Sequence, residues 1–299
     1  MTHKLTGTGI AIVTPFKTDL SVDYDALTSL VDFNIKNGVD YIVISGTTGE
    51  SVTITPTEKT AITKTIIHAN KGRVPLVLGI GGNNTQAVIA EIEATDFSDI
   101  DAILSVAPYY SKPTQEGLKA HFLAIANAAP KPVLLYNVPG RTGVNMAPET
   151  IISLAQASKN LVGVKEAAGN MAQYLRLLKD KPADFLVISG DDDLALPVAL
   201  AGGAGVISVI AQAFPKAFSS MMALGLAKNA EAGFQIHNQL MDITRLIFSE
   251  NNPAGIKALL QTMGKCQATV RLPLVEASST LKKNIAAFVN QNSKALNNT

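Results

Sequence analysis

The stretch that decides the fold, residues 133–165, reads VLLYNVPGRTGVNMAPETIISLAQASKNLVGVK. Residues 133–136 and 161–164 are short apolar runs typical of strands, and residues 148–157 between them have helical periodicity. Neither apolar run alternates with polar residues, which indicates strands buried on both faces, as in a parallel sheet covered by helices. The stretch therefore predicts one complete β-α-β unit.

The same pattern continues on both sides of this unit. Further strand-like runs occupy residues 9–13, 41–45, 75–78, 102–106, 185–189 and 206–209, and further helical stretches occupy residues 23–36, 57–69, 85–95 and 115–128. Eight strand-like runs in this arrangement favour an α/β fold, a closed (β/α)₈ TIM barrel, over an open doubly wound sheet.

The last part of the chain has a different pattern. After residue 209 no strand-like run follows, and residues 213–227, 230–248, 253–263 and 276–290 all look helical. No Pro/Ser-rich linker precedes them, so we expect these helices to pack on the barrel. We therefore expect a catalytic barrel domain of residues 1–225 and a C-terminal helical domain of residues 226–299.

Composition excludes several classes of function. The 25 basic and 24 acidic residues nearly balance, so no charged surface is expected that would bind nucleic acid or a membrane. The single cysteine, Cys266, excludes an internal disulfide, and the N-terminus has no signal-peptide pattern, so we expect a cytoplasmic protein. Residues 194–214 are long and apolar enough to span a bilayer, but Pro197 and Gly202 interrupt them, and a buried helix, turn and strand explain them better.

In such a barrel the active site lies at the carboxyl ends of the strands, where two segments have polar side chains. The second strand runs into residues 46–51 (GTTGES), whose backbone N–H groups and hydroxyls can hold a carboxylate, or which simply form a tight turn. The fourth strand runs into Tyr109 and Tyr110, whose phenols can form a proton path or cover the barrel rim.

The next two strands carry the stronger signals. Tyr136 ends the fifth strand and Arg141 follows in the same loop, which places a proton donor beside a guanidinium that can clamp a carboxylate. A surface salt bridge is the alternative for Arg141. Lys165 stands at an inward-pointing position of the sixth strand, where apolar surroundings favour the free amine that attacks a ketone. The alternative is that Lys165 pairs with Glu166 or another carboxylate.

Together these groups indicate Schiff-base carbon–carbon chemistry on a keto acid, for which no metal or organic cofactor is required. The iminium draws electrons from the substrate, so that the methyl group of pyruvate becomes acidic and its enamine can attack an aldehyde.

Elsewhere, Asp191, Asp192 and Asp193 follow the seventh strand and either bind a divalent ion or, more simply, cap the next helix.

Several motifs resemble the dihydrodipicolinate synthases, also called 4-hydroxy-tetrahydrodipicolinate synthases, a family of the class I pyruvate aldolase and N-acetylneuraminate lyase superfamily. These motifs are GTTGES at residues 46–51, PYY at 108–110, YNVPGRTG at 136–143, GVKEA at 163–167, SGDD at 189–192, GVISV at 205–209, NP at 252–253 and RLPL at 271–274. They extend over nearly the whole chain.

The resemblance implies a lyase that condenses pyruvate with L-aspartate 4-semialdehyde on the route through diaminopimelate to lysine. It implies that Lys165 forms the imine and that Tyr136, Thr47 and Tyr110 relay protons, with Tyr110 reaching in from a neighbouring subunit. Thr48, Arg141, Gly190 and the Ile207 carbonyl would bind the substrates. It also implies a homotetramer built from tight dimers.

Two alternatives and one departure accompany the resemblance. A sugar-acid or N-acetylneuraminate aldolase shares the scaffold, although Arg141 favours the synthase, and a catalytically silent barrel that binds a keto acid is the other alternative. Lysine-inhibited synthases often have histidines at the positions of Pro56 and Lys59 and a glutamate at that of Ala87, whereas Tyr109 and Asn83 are retained here. We therefore predict weak or absent inhibition by L-lysine.

Overall fold

The computed structural model describes residues 2–298 of the chain, with side-chain surroundings for residues 4–292. Eight parallel strands form a closed barrel in chain order, and the first strand pairs with both the second and the eighth. The strands are β1 (Gly7–Ala11), β2 (Tyr41–Ile44), β3 (Leu76–Gly79), β4 (Ala102–Val106), β5 (Val133–Asn137), β6 (Leu161–Glu166), β7 (Leu186–Ser189) and β8 (Gly205–Ser208). The predicted (β/α)₈ barrel is confirmed, with strand ends displaced by at most two residues.

Helices cover the barrel and continue beyond it. They are α1 (Tyr24–Lys36), α2 (Pro56–Asn70), α3 (Thr85–Glu93), α4 (Gln115–Ala128), α5 (Pro139–Thr142), α6 (Pro148–Ala157), α7 (Met171–Asp180), α8 (Ala195–Leu200), α9 (Pro215–Leu226), α10 (Ala230–Phe248), α11 (Ala254–Thr262) and α12 (Ser279–Asn298). The helix α9 packs on β1 and ends at Leu226. The proposed division after residue 225 stays a prediction.

Local sequence explains where several helices begin. Thr55 and Glu58 form a capping box at the start of α2, with Pro56 in the first turn, and the side chain of Asn84 accepts two N–H groups at the start of α3. Such caps satisfy backbone donors that have no partner within the helix. The two caps mark the points where the loops after β2 and β3 pass into helices, and these loops carry polar residues at the carboxyl ends of the strands.

The core has two layers. Side chains inside the barrel, among them Tyr41, Leu104, Leu134 and Ile207, form one buried cluster, and a larger cluster fills the space between the strands and the helices. Alternate residues of each strand contribute to the two layers. Over the described part of the chain no helix is long and apolar enough to span a bilayer.

Candidate active site

Lys165 and Tyr136 lie side by side at the carboxyl end of the barrel. They are register partners across β5 and β6, and Nζ of Lys165 lies 4.3 Å from the centre of the Tyr136 ring. Both side chains are buried, with Lys165 only 5% exposed. Because Tyr136 belongs to the cluster inside the barrel, the ammonium or amine of Lys165 is directed to the barrel mouth, at the inward-pointing position that the sequence predicts.

Glu166 points to the opposite side of β6, away from Lys165. Its carboxylate accepts hydrogen bonds from Asn137 Nδ2 at 3.0 Å, Gln173 Nε2 at 2.9 Å and the Ala168 N–H at 2.9 Å. Burial raises the pKa of Glu166 to about 7, and these hydrogen bonds oppose the rise. The alternative that Lys165 pairs with Glu166 is therefore wrong, because the carboxylate is fully engaged between strand and helix.

The threonine turn after β2 is tied down at several points. The Gly49 N–H donates to the Gly46 carbonyl at 3.1 Å, and Thr14 Oγ1 donates to the Gly49 carbonyl at 2.7 Å. Thr48 is 2% exposed, and its hydroxyl oxygen accepts a hydrogen bond from Asn252 Nδ2 at 2.9 Å. The turn is thus rigid, and one of its two threonine hydroxyls is oriented by a residue of the C-terminal segment.

A buried ion pair supports the same turn from outside the barrel. Glu50 adopts a left-handed conformation with φ of 56°, and its carboxylate binds Lys257 of α11 and accepts the Arg271 N–H at 3.0 Å. Lys257 is fully buried, donates to the Thr269 carbonyl at 2.8 Å and lies over the Phe16 ring, and burial lowers its pKa. This pair is not evident in the sequence, because its members are 207 residues apart.

The ends of β7 and β8 form the other side of the barrel mouth. A Cβ atom at Gly190 would lie 2.6 Å from Ala167 Cβ and 3.0 Å from Lys165 Cε, so only glycine leaves room for the lysine side chain. Ile207 is fully buried and faces the barrel interior. Gly190 therefore lies against the Lys165 side chain, and Ile207 faces the interior of the same barrel.

The sequence predicts that the aspartates after β7 cap the next helix, and the structure shows that this prediction is wrong. Asp192 accepts the Val209 and Ile210 N–H groups at 3.0–3.2 Å, which fixes the segment after β8, while α8 begins after Leu194 without a side-chain cap. Burial raises the pKa of Asp192 to about 6. Across the described residues no cluster of three or more His, Cys, Asp or Glu side chains is suited to hold a metal ion.

Two predicted site residues are not gathered in the mouth of this chain. Tyr110 is 89% exposed with φ of 73°, and its ring points into solvent. Arg141 lies on the single turn α5 and is exposed, and no ion pair to it occurs within the described part of the chain. Both side chains are thus available to groups from outside this subunit.

An open cavity of about 890 Å³ adjoins the barrel mouth. Thr47 and Tyr136 line its inner end, and Tyr109, Pro56, Lys59 and Glu91 line the part that extends outward along α2 and α3. Lys165 is not among the described residues that line it. The cavity therefore connects the Tyr136 side of the site with a second region outside the barrel.

Comparison with known proteins identifies the family. The model of the dihydrodipicolinate synthetase family matches residues 4–292. The chain belongs to the dihydrodipicolinate synthetase family. A relative from Flavobacterium psychrophilum, named 4-hydroxy-tetrahydrodipicolinate synthase, is 52% identical over 288 residues, which cover 96% of this chain and 98% of the relative.

Solved structures of dihydrodipicolinate synthases share the fold over nearly the whole length. A chloride-inhibited enzyme from Acinetobacter baumannii, in complex with pyruvate, has a TM-score of 0.94 at 37% identity, covering 97% of this chain and 99% of that one. A DHDPS from Cyanidioschyzon merolae with lysine bound has a TM-score of 0.93 at 38% identity, with coverage of 97% and 99%.

These likenesses confirm the family resemblance seen in the sequence. They also confirm, at the level of the dihydrodipicolinate synthetase family, the predicted lyase of class I aldolase type and its synthase activity. The roles of individual site residues stay predictions.

Proposed function

We propose that this chain is a 4-hydroxy-tetrahydrodipicolinate synthase that condenses pyruvate with L-aspartate 4-semialdehyde through an imine on Lys165. One observation carries the assignment of the nucleophile. Lys165 is a buried lysine at the mouth of a barrel, held against Tyr136 and free of any ion pair to Glu166. Burying a lysine in such a place is costly for stability, which favours a use of its amine in the chemistry of the site.

The chemistry follows from these neighbours. The amine of Lys165 adds to the ketone of pyruvate, water leaves, and the resulting iminium makes the methyl protons acidic. Removal of one methyl proton gives an enamine that forms the new carbon–carbon bond with the aldehyde. The Tyr136 ring lies beside Lys165, which supports its phenol as the proton carrier in these steps, with Thr47 as its proposed partner.

Substrate binding is assigned to the remaining residues. The Thr48 hydroxyl holds the carboxylate of pyruvate, while Gly190 and the Ile207 carbonyl line the pocket. Arg141 clamps the carboxylate of the aldehyde substrate, for which the planar guanidinium fork is well suited. Its exposure favours a role for the second substrate, which arrives after the imine has formed.

We further propose a homo-oligomer, a tetramer of tight dimers, in which Tyr110 completes the proton relay of a partner subunit. The exposed ring of Tyr110, which does not turn back to its own barrel mouth, supports this exchange.

The proposed function is tested by incubating the protein with pyruvate and borohydride, followed by intact-mass measurement and peptide mapping. Borohydride reduces an imine to a stable amine on the lysine that formed it. We expect one adduct per chain, on Lys165, and turnover when L-aspartate 4-semialdehyde is added. The absence of an adduct would favour the silent keto-acid-binding barrel, and turnover of a sugar acid alone would favour the aldolase alternative.

A further inference from the structure

Asn252 places a residue of the C-terminal segment in contact with the threonine turn. Its side chain is 5% exposed, and its Nδ2 lies 2.9 Å from Thr48 Oγ1, although the two residues are 204 positions apart in the chain. Within the described part of the chain, Asn252 is the hydrogen-bond partner of the Thr48 hydroxyl. Whatever Thr48 binds, its hydroxyl is already engaged on one side.

The direction of this hydrogen bond decides what Thr48 can offer to a ligand. A hydroxyl has one proton to donate and two lone pairs to accept with, and an amide NH₂ only donates. Because Asn252 donates into Oγ1, the proton of Thr48 remains for another acceptor. A carboxylate and a neutral carbonyl can both accept this proton, but the hydrogen bond to the charged carboxylate is the stronger of the two, so the oriented hydroxyl favours a carboxylate. The hydrogen bond from Asn252 Nδ2 polarises the hydroxyl and strengthens its donation.

The position of Asn252 is fixed by the packing around it. Lys257, five residues further along the chain, forms an ion pair with Glu50 of the same threonine turn. At Gly255 a Cβ atom would lie 2.0 Å from the Ile247 carbonyl oxygen, so α11 begins in direct contact with the backbone of α10. Asn252 and Thr48 therefore keep their relative placement.

A purely structural role explains Asn252 poorly. Its Oδ1 atom is buried and has no hydrogen-bond partner in the described part of the chain. A buried acceptor without a partner is destabilising, and native proteins contain few of them. A residue retained only for stability would be expected to satisfy both ends of its amide.

We propose that Asn252 is a positioning residue that directs the Thr48 proton at the substrate carboxylate and so selects keto acids over neutral ketones. The proposal rests on the proposed function, in which Thr48 meets the carboxylate of pyruvate. It adds that the C-terminal segment sets the selectivity of a site whose reacting groups all come from the barrel.

The test compares pyruvate with pyruvamide, its neutral analogue, by borohydride trapping on full-length protein over a range of concentrations. In Asn252→Asp the new carboxylate accepts the Thr48 proton instead of donating to its oxygen. We expect the half-saturating pyruvate concentration to rise about tenfold or more, as loss of a charge-assisted hydrogen bond implies, with pyruvamide changed far less.

The control is Asn70→Asp, another buried asparagine whose Nδ2 donates to the Val74 carbonyl at 2.8 Å, at the end of α2. It should leave the preference for pyruvate over pyruvamide unchanged. A second pair of variants separates orientation from charge repulsion. Asn252→Ala should weaken pyruvate binding in the otherwise wild-type chain but not in a Thr48→Val chain, which has no hydroxyl to orient.

The outcomes distinguish the two proposals. If the wild-type chain forms the Lys165 adduct and Asn252→Asp keeps the same preference for pyruvate, the role of Asn252 is overturned and the proposed function stands. Equal losses for pyruvate and pyruvamide would show a general structural role and also overturn it. If the wild-type chain forms no adduct with pyruvate, both proposals fail.

Discussion

Nζ of Lys165 lies 4.3 Å from the centre of the Tyr136 ring, and the two residues are paired directly across β5 and β6. Register partners of parallel strands project to the same side of the sheet, so this proximity is fixed by the backbone and not by a flexible loop. The proposed nucleophile and its proposed proton carrier are therefore both positioned by barrel strands.

Tyr136→Phe tests this arrangement. The ring contact with Lys165 and the packing inside the barrel remain, so the thermal midpoint should stay close to that of the wild-type chain. Loss of the phenol should slow turnover by about 10²–10⁴-fold, the usual contribution of a general acid or base. Steady-state rates and the time course of borohydride trapping measure this, and a wild-type rate would contradict the assignment.

Arg141→Ala separates the two substrates. Arg141 is exposed on α5 and is proposed to bind the carboxylate of the aldehyde, so the KM for L-aspartate 4-semialdehyde should rise about tenfold or more, with a smaller effect on imine formation from pyruvate. Arg141→Lys should recover only part of the loss, because an ammonium cannot form the bidentate contact. Equal loss in imine formation and aldehyde use would refute this division.

Lys257→Met tests the buried ion pair. Removing the ammonium leaves the Glu50 carboxylate buried without its charge partner, which should lower the free energy of unfolding by about 3–5 kcal/mol. The matched variant, Lys257→Met with Glu50→Gln, should recover much of that stability because no buried charge is left unpaired. Denaturant unfolding of the wild-type chain, Lys257→Met and the double variant measures their free energies of unfolding. If Lys257→Met is as stable as the wild-type chain, the stabilising role of the ion pair is refuted.

Glu166 predicts a pH dependence of stability. Its pKa of about 7 in the folded chain lies above the 4.5 of an ordinary glutamate, so between these values the folded state binds more protons than the unfolded state. The contribution of Glu166 to the free energy of unfolding is fully present below about pH 4.5. It is lost as the pH rises to about 7, by roughly 3 kcal/mol in all. Glu166→Gln should lack this slope.

The measurement is the thermal midpoint of both chains from pH 5 to pH 8, a range that covers the upper part of this transition. The midpoint of the wild-type chain should fall relative to that of Glu166→Gln up to about pH 7 and then run parallel to it. Other buried carboxyl groups, including Asp192, titrate in both chains and cancel in the difference. A constant difference across the range would disprove the raised pKa.

Lys59 gives the structural basis for the expected insensitivity to L-lysine. Its ammonium pairs with Glu91 and donates to the Gly79 carbonyl at 2.9 Å, on the wall of the cavity that Pro56 and Tyr109 also line. The ammonium of a bound L-lysine would meet the Glu91 carboxylate, whose charge Lys59 already neutralises. Initial rates measured against L-lysine should stay constant where sensitive enzymes are inhibited, and half-maximal inhibition at low or sub-millimolar lysine would contradict this.

The strand pattern and the inward position of Lys165 were predictable because they depend on residues that are neighbours in sequence. Uninterrupted apolar runs with helical stretches between them allow few arrangements other than a parallel barrel, and alternation along β6 then orients Lys165. The predicted inward position of Lys165 was correct for that reason.

Contacts between distant parts of the chain were not predictable in this way. Asn252 to Thr48 and Lys257 to Glu50 each span more than 200 residues, and nothing in the local sequence shows which partner they meet. Asp192 was assigned to a helix cap because it precedes a helix, but the barrel brings the N–H groups after β8 within its reach, and closure of the sheet decided the outcome.

The ion pair between Glu50 and Lys257 also affects how the protein is made. A ribosome that has released the first 250 residues has delivered all eight strands, yet the Glu50 carboxylate would still lack its cation and the Thr48 hydroxyl its amide donor. The barrel mouth is therefore finished only near the end of synthesis. Nascent or prematurely terminated chains that stop before residue 252 would therefore lack both contacts that hold the threonine turn from the C-terminal segment.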